Sequence, residues 1–212
     1  MFDENISILI PYKGDGGYRD KNFSWIKKRY NALMPNAELC IGSYDDEPFC
    51  KSIAINKAAK LATKNIFLIA DIDIVFDISD IARGILQLCN YPWVIPYTTI
   101  KYLSLNETYK LQQMNPNIDI KNLNITDYYS IKHLCGGINI VPRDCFEKVG
   151  GFDERFKGWG CEDDAFTLRL NALCGHPGRI NTSLLHMYHP DAPRNNFKRN
   201  QHLLKQFYKL NV

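Results

Sequence analysis

The sequence predicts an α/β fold in which helices flank a mostly parallel central sheet, formed as one domain from residues 1–212. Short apolar runs alternate with segments whose apolar residues recur at helical spacing, and such alternation is typical of parallel sheets. The run at 66–70 is apolar throughout, as expected for a central strand that is covered on both faces. With 212 residues and 45% apolar side chains, the chain can bury one sizeable core.

Proline and serine mark the element boundaries in the first third of the chain. The first strand ends at Pro11 and the first helix stops before Pro35, because proline lacks the N–H group that helices and strands use. Ser52 can cap the second helix, since its hydroxyl accepts a hydrogen bond from an unpaired N–H group of the first turn. The predicted elements in this part are strand 6–11, helix 23–34, strand 38–42, helix 53–63 and strand 66–70.

The remaining elements continue the alternation with one interruption. Ser79 can cap the third helix. Residues 98–132 are rich in Asn, Tyr and Lys and show no clean period, so they are predicted to form a long excursion that is either functional or disordered. The other predicted elements are helix 79–88, strand 93–96, strand 137–141, a helix from 162 and a strand-like segment at 179–185.

The C-terminal segment 195–212 is predicted to be an amphipathic helix. Its apolar stripe would pack on the core and its basic face would meet solvent, as in most terminal helices. Weak association of the basic face with an anionic membrane or a polyanionic acceptor is the alternative. The stripe consists of Phe197, Leu204, Phe207 and Leu210, and the basic residues are Lys198, Arg199, Lys205 and Lys209.

Charge and cysteine usage favour a protein of the cytoplasm. The net charge of +3 is too small to indicate a nucleic-acid or a membrane partner by itself. The first residues lack the character of a signal peptide, and no apolar run reaches the length of a membrane span. The seven cysteines show no C-x-x-C spacing, which favours reduced thiols. We therefore expect a cytoplasmic location without an integral membrane segment, and an oligomeric state that the sequence leaves open.

Three consecutive carboxylates, Glu162, Asp163 and Asp164, form the most informative motif. They follow Trp159, which is flanked by glycines, and an apolar run follows them. Like charges repel, so their adjacency needs a compensating field, and the free N–H groups and dipole of a helix N-terminus supply one. A charged start to an ordinary amphipathic helix is the structural alternative to a catalytic role.

A second pair of carboxylates, Asp71 and Asp73, directly follows the apolar strand at 66–70. Ligands of open α/β sheets bind at the carboxyl ends of strands. Two carboxylates one residue apart can both reach a hard cation or a metal-bound diphosphate. The alternative is a polar turn that leads into the next helix, but the position at the strand end favours a functional site.

Two histidines, His186 and His189, lie three residues apart at the end of the last strand-like segment. Pro190 biases the backbone of His189 toward an extended conformation, so that its ring can project from a loop. Imidazole is a common ligand of Mn²⁺ and Zn²⁺, so one metal held by Asp73 and a histidine is the simplest joint interpretation. Two structural histidines are the alternative.

The order of these motifs resembles that of GT-A glycosyltransferases of the β-1,4-galactosyltransferase and chondroitin-polymerase type. The W-G-x-E-D-D element is the most specific of them and the D-x-D element the least. At His186 the chain departs from the eukaryotic galactosyltransferases, which have methionine there, and this indicates a changed metal preference or a different second ligand. The matching segments are Ile10-Pro11-Tyr12-Lys13, Asn56-Lys57-Ala58, Asp71-Ile72-Asp73, Gly136-Gly137-Ile138-Asn139, Gly151-Phe152-Asp153, Gly158 to Asp164, and His189.

The resemblance implies a GT-A fold and a metal-dependent, inverting transfer of a hexose or N-acetylhexosamine from a UDP-sugar to a hydroxyl acceptor. It assigns the metal, Mn²⁺ with Mg²⁺ as the alternative, to Asp73 and His189, with His186 as a further candidate. The 98–132 excursion is expected to lie on the acceptor side of the site. The chemical class of the acceptor stays open between a glycan, a lipid-linked sugar, a protein and a modified nucleobase. The implied donor-binding residues are Pro11, Tyr12, Lys13, Asn56, Lys57, Asp71, Ile72, Gly137 and Trp159.

The resemblance also implies roles for the residues of the W-G-x-E-D-D element. Asp163 would be the general base that takes the proton of the acceptor hydroxyl, and Glu162 would hydrogen-bond the sugar. Trp159 would stack on the acceptor or close over the donor on a mobile loop, because glycines flank it. Asp164 would lie on the acceptor side.

Two other classes of protein stay open. A sugar-phosphate nucleotidyltransferase would use a similar sheet and similar carboxylates, and residues 13–19 resemble a poor phosphate loop. It would release pyrophosphate, where a glycosyltransferase releases a nucleoside diphosphate. A non-catalytic sugar-binding module would tend to lose its base or its metal ligands, and this chain keeps candidates for both.

Overall fold

The computed structural model describes residues 2–211, with side chains through residue 209. Its central sheet has six strands and is flanked by helices, which confirms the α/β class. The apolar run at 66–70 is a strand with four buried residues at its centre and end, as predicted for a central strand. In spatial order the strands are β2 (Glu38–Ser43), β1 (Ile6–Tyr12), β3 (Ile66–Ala70), β8 (Ile138–Pro142), β5 (Val94–Ile95) and β9 (Gly178–Arg179).

The central sheet is mixed rather than parallel throughout. Strand β1 pairs in parallel with β2 and β3, and β5 pairs in parallel with β9, but β8 runs antiparallel to both of its neighbours. The N–H group of Asp71, directly after β3, donates to the carbonyl oxygen of Gly137, directly before β8, at 2.9 Å. Strand β8 therefore starts at the edge where β3 ends, and its direction must be opposite.

Residues 98–132 contribute two strands to a second sheet, so they are not the long loop that the sequence predicted. Strands β6 (Thr99–Leu103) and β7 (Tyr128–Lys132) pair in this sheet with β4 (Ile74–Val75) and β10 (Ser183–His186), in the order β4-β10-β6-β7. All five side chains of β7 are exposed, so its sequence shows no apolar alternation. The predicted segment 179–185 divides between β9 and β10, which belong to different sheets.

The helices begin close to the predicted positions, but neither predicted serine is the cap residue. The helices are α1 (Tyr18–Leu33), α2 (Lys51–Leu61), α3 (Ile78–Gln87), α4 (Leu105–Gln113), α5 (Arg143–Lys148), α6 (Glu162–Leu173) and α7 (Phe197–Leu204). Helix α1 begins five residues before the predicted start at 23, and α2 begins before Ser52, with Cys50 at the cap. Asp77 caps α3, and its carboxylate accepts a hydrogen bond from the N–H group of Ser79 at 2.8 Å.

Helix α2 packs closely on β2 at Gly42. A Cβ at this position would collide with the backbone carbonyl of Ala54. The missing side chain therefore lets the helix approach the sheet, and the first residue of α2, Lys51, lies within reach of Asp71.

The C-terminal segment is not the single helix predicted for 195–212. Helix α7 is followed by a 3₁₀ turn at Tyr208–Asn211. The side chain of Leu210 and residue Val212, both part of the predicted helix, lie outside what the structure describes. Within residues 2–211, no helix combines the length and the apolar character that a membrane crossing requires. The segment packs through a small buried cluster of Phe156, Ala165, Leu204 and Phe207.

Candidate active site

The carboxyl ends of β1 and β3 lie at one edge of the central sheet, because the two strands are parallel. Leu9 pairs with Ile69, and this register places Pro11 at the level of Asp71. Asp71 in turn is hydrogen-bonded to Gly137 through the backbone. The structure thus brings three of the predicted donor-binding residues, Pro11, Asp71 and Gly137, to the same edge.

Asp73, His186 and His189 form a cluster whose candidate ligand atoms all lie within 4.8 Å of one another. Asp73 Oδ2 is 3.0 Å from His189 Nε2, and Asp73 Oδ1 is 3.5 Å from His186 Nε2. The second sheet creates this arrangement, since His186 at the end of β10 pairs with Ile74 at the start of β4. The three predicted metal ligands therefore come together in the fold.

The hydrogen bonds of the two histidines make the cluster suited to a cation. His186 Nδ1 lies 2.9 Å from the carbonyl oxygen of Met187, and His189 Nδ1 lies 2.8 Å from that of Pro190. A carbonyl oxygen only accepts, so both Nδ1 atoms carry a proton, and in neutral rings both Nε2 atoms present a lone pair toward Asp73. A lone pair that faces a carboxylate needs a proton or a metal cation between the two groups, and a proton on His189 Nε2 makes the hydrogen bond of that ring to Asp73. A carboxylate with imidazoles is a set that divalent metals accept.

Burial and charge together set the protonation of this cluster. Burial opposes the ionisation of Asp73, but the neighbouring imidazoles outweigh it and hold the pKa of Asp73 well below its usual range. Burial lowers the pKa of His186. Burial acts in the same direction on His189, yet the hydrogen bond between its ring and Asp73 holds the pKa of His189 above its usual value. At neutral pH the cluster therefore offers an ionised carboxylate beside a neutral His186 ring.

A second charged cluster is centred on Lys51. Its ammonium group lies 3.0 Å from a carboxylate oxygen of Asp71, and 3.0 and 2.9 Å from the two oxygens of Asp163. Burial opposes the charge of Lys51, but the carboxylates of Asp163, Asp71 and Glu162 outweigh it and raise the pKa of Lys51 well above its usual value. Lys51 therefore joins the carboxylate that follows β3 to the first turn of α6.

Glu162 is the first residue of α6, as predicted for the start of this helix. Burial and the charge of Asp163 raise the pKa of Glu162 to about 7, although Lys51 acts in the opposite direction. Burial likewise raises the pKa of Asp71 to about 6 against the charge of Lys51. One carboxylate oxygen of Glu162, Oε2, is buried and has no hydrogen-bond partner among the residues that the structure describes. A buried carboxylate oxygen without a partner needs an explanation, and a hydrogen bond from a ligand hydroxyl would supply one.

The two glycines before β8 meet two different requirements. A Cβ at Gly136 would collide with the carboxylate of Asp163, so only glycine lets the chain pass beside it. Tyr97 holds this segment in place by donating a hydrogen bond from its hydroxyl to the carbonyl of Gly136. Gly137 has a φ of 85°, in the left-handed region that glycine adopts at little cost.

Comparisons with known proteins show what this chain resembles in sequence and in fold. A family model described as the N-terminal domain of galactosyltransferase matches residues 118–191. Human β-1,4-galactosyltransferase 4 is 22% identical over 176 residues, which cover 79% of this chain and 42% of that protein. The chain therefore spans less than half the length of this relative.

Three solved structures share the fold at low sequence identity. The catalytic domain of Drosophila β1,4-galactosyltransferase 7, in complex with xylobiose, has a TM-score of 0.53 and 15% identity, covering 92% of this chain and 79% of that chain. A mannosyltransferase from Pyrobaculum calidifontis, in complex with GDP-Man and Mn²⁺, has a TM-score of 0.51 and 16% identity, and the match covers 97% of this chain and 63% of that chain. Glucosyl-3-phosphoglycerate synthase from Mycobacterium tuberculosis has a TM-score of 0.57 and 9% identity, and the match covers 96% of this chain and 78% of that chain. The chain therefore has the GT-A fold, and part of its sequence is similar to galactosyltransferases.

The loop that carries Trp159 is tied to α7 of this GT-A fold. The side-chain amide of Asn200, which is fully buried, donates to the carbonyl oxygens of Lys157 and Gly160, both at 3.1 Å. The indole of Trp159 is 41% exposed, and the guanidinium of Arg194 lies 4.3 Å from its ring centre. The mobility of this loop stays a prediction, and any movement of its backbone would have to break the contacts that Asn200 makes.

Several predicted donor-binding residues make other contacts. Asn56 holds the 151–154 loop, because its amide exchanges two hydrogen bonds of 2.9 Å with the backbone of Phe152. Lys57 is exposed, with its ammonium group 6.0 Å from the ring centre of Tyr44. Lys13 pairs with an exposed carboxylate, that of Glu47, at 2.7 Å. A role of Asn56, Lys57 and Lys13 in donor binding stays a prediction.

Three more predicted site residues differ in what they can offer a ligand. The Tyr12 hydroxyl donates to Asp20 at 2.7 Å, at the start of α1. The side chain of Ile72 is buried, so only its backbone can face a ligand. Asp164 is exposed, and its carboxylate lies 3.1 Å from the sulfur of Cys135.

Sequence reasoning missed Lys51 and Tyr102. The ring of Tyr102 packs on that of His186, with centres 4.6 Å apart, and so supports one of the candidate metal ligands. The chain has 26 Lys and Arg residues, and no local pattern distinguishes Lys51 from the others. Its role depends on contacts with carboxylates from two distant motifs.

Proposed function

We propose that this protein is a metal-dependent, inverting glycosyltransferase that moves a hexose or N-acetylhexosamine from a UDP-sugar to a hydroxyl acceptor. The observation that carries the proposal is the placement of two clusters around the Asp71-Ile72-Asp73 segment. One cluster consists of Asp73 and the two histidines, His186 and His189. In the other, Lys51 pairs with the carboxylates of Asp71 and Asp163. Residues 1–212 would form one catalytic domain, and the cysteine usage favours a cytoplasmic location.

The nucleotide-sugar donor would be bound by a metal ion together with residues at the carboxyl ends of β1 and β3. Structures of proteins with this fold contain manganese with UDP-Gal and xylobiose, or Mn²⁺ with UDP-glucose. In this chain Asp73, His186 and His189 would hold Mn²⁺, with Mg²⁺ as the alternative. A divalent cation bound there would stabilise the negative charge that develops on the leaving diphosphate. Asp71 would hold the ribose hydroxyls, and Pro11 would line the nucleotide pocket.

On the acceptor side, Asp163 would be the general base. The acceptor oxygen attacks the anomeric carbon, the bond from that carbon to the diphosphate oxygen breaks, and Asp163 takes the proton of the hydroxyl. Attack opposite the leaving group inverts the anomeric centre. Lys51 binds both oxygens of Asp163, but each carboxylate oxygen has two lone pairs, so acceptor capacity is left for the substrate. Glu162 would accept a hydrogen bond from a sugar hydroxyl, and Trp159 and Asp164 would contact the acceptor.

Replacing Lys51 by methionine is expected to lower both the stability and the rate, because Lys51 would be a positioning residue for Asp163. The change leaves Asp71 and Asp163 without their shared counter-charge, at a cost of about 1–3 kcal/mol in the free energy of unfolding. Lys51→Arg keeps the charge and should recover part of the rate. Lys60→Met, which alters an exposed lysine of the same helix, should change neither quantity. Urea unfolding and single-turnover UDP release measure the two effects, and a wild-type rate for Lys51→Met would exclude the positioning role.

Hydrolysis of nucleotide sugars tests the proposed activity without knowledge of the acceptor. We expect Mn²⁺-dependent release of UDP from at least one of UDP-glucose, UDP-galactose and their N-acetyl forms, and no release in the presence of a chelator. Formation of pyrophosphate from a nucleoside triphosphate and a sugar phosphate would support a nucleotidyltransferase instead. Metal-dependent binding without any turnover would support a sugar-binding module. Glycan, lipid-linked sugar, protein and modified nucleobase are the acceptor classes to test next.

A further inference from the structure

The positive charge of the chain is concentrated in its last part. Residues 192–212 contain five of the 26 Lys and Arg residues and none of the 23 Asp and Glu residues. The residues before them hold 21 basic and 23 acidic side chains and are therefore slightly acidic. The net charge of +3 thus arises from the C-terminal segment alone.

The structure presents part of this charge on one face of α7. Lys198, His202 and Lys205 are four and three residues apart, so they share a side of the helix, and all three are exposed. Lys209 is exposed in the 3₁₀ turn that follows. Within the part of the chain that the structure describes, Lys198, Lys205 and Lys209 form no ion pair. A surface groove of about 560 Å³ is lined by Lys198, Gln201, His202, Leu204, Lys205 and Tyr208.

Tyr208 adds an aromatic ring to this basic face. Its side chain is 55% exposed and lines the same groove as Lys198 and Lys205. A tyrosine suits the boundary between lipid and water, because its ring is apolar and its hydroxyl is polar. Leu204, which also lines the groove, and Phe207 are buried in the cluster with Phe156 and Ala165. The segment is therefore anchored to the protein while its cations face outward.

We propose that the basic face, defined by Lys198, His202, Lys205, Tyr208 and Lys209, binds the surface of an anionic membrane. Each unpaired lysine is attracted by the negative potential of anionic lipids, and no acidic residue in this segment opposes the attraction. The exposed tyrosine favours a lipid surface over a polyanionic chain in solution. Asn200 of the same helix holds the Trp159 loop, so a membrane bound at α7 lies next to that side of the candidate active site.

Co-sedimentation with lipid vesicles tests this proposal on the full chain. We expect binding to vesicles that contain phosphatidylglycerol at low ionic strength, no binding to pure phosphatidylcholine, and release at high ionic strength because salt screens the attraction. The triple variant Lys198→Glu, Lys205→Glu and Lys209→Glu should lower the vesicle partition coefficient at least about tenfold. The matched control reverses three exposed lysines on α1 and α2, namely Lys27, Lys28 and Lys60.

Three results would overturn the proposal. An equal loss of vesicle binding in both triple variants would show a non-specific effect of net charge. Vesicle binding at the wild-type level by the variant at Lys198, Lys205 and Lys209 would show that the protein uses another surface. Binding to dextran sulfate but not to vesicles would assign the face to a polyanionic ligand. Tyr208→Ser provides a further check, because it should weaken binding to vesicles and leave the net charge unchanged. Thermal unfolding and metal-dependent UDP binding should be unaltered in each variant, so failure here would leave the proposed activity untouched.

Discussion

Asp163→Asn is expected to remove most of the transfer activity while donor and metal binding stay at wild-type levels. Asparagine is nearly isosteric with aspartate, so the first turn of α6 should be preserved, but its amide cannot accept a proton at neutral pH. Loss of a general base typically lowers the rate by ~10²–10⁴-fold. Single-turnover measurement of UDP release, with water as the acceptor, would quantify the loss.

Asp164→Asn is the matched control, because it makes the same chemical change one residue away. Asp164 is exposed, and one helical step of about 100° turns it away from Asp163. Its substitution should lower the rate far less. If Asp163→Asn keeps the wild-type rate, the base assignment is wrong. Glu162, with its pKa raised to about 7, is then the next residue to test.

Asp73→Ala is expected to abolish the metal-dependent part of UDP binding. Asp73 is the only carboxylate in the described cluster, and without it the two imidazoles lose the negative charge that attracts a divalent cation. Loss of even an outer-shell partner of a metal ligand typically costs 10–100-fold in metal affinity, so we expect at least about a tenfold weaker affinity for UDP in the presence of Mn²⁺. Calorimetry with and without a chelator separates this contribution from metal-independent binding.

Asp144→Ala is a suitable control for this measurement. Asp144 is exposed at the start of α5, directly after β8, and β8 runs away from the edge where Asp71 lies. The control should bind UDP and Mn²⁺ like the wild type. Equal UDP affinity of the wild type with Mn²⁺ and with a chelator would contradict the metal-bridged model as a whole, whatever the variants show.

The central strands and the start of α6 were predictable because each leaves a pattern within a few residues. Strand β3 is a continuous apolar run, and the three carboxylates at 162–164 need the free N–H groups of a helix start. The cap residues were harder to predict, since Asp77 lies only two residues before the predicted Ser79 and aspartate is as common a cap residue as serine. Strand β7 has no buried face, so no local pattern could reveal it.

The sequence by itself determined the α/β class, the predicted members of the metal cluster and the motif that contains the candidate base. Only the tertiary structure decided which residue neutralises the carboxylates of Asp71 and Asp163. It also decided which residues of the predicted motifs stabilise the fold through contacts with distant backbone. Lys51 contacts Asp71 and Asp163, which are 20 and 112 residues away, and Asn56 binds the backbone of Phe152 at a separation of 96 residues. A hydrogen bond or an ion pair depends on distance in space. Residues this far apart are brought together only when the sheet order and the packing of α2 on β2 are established.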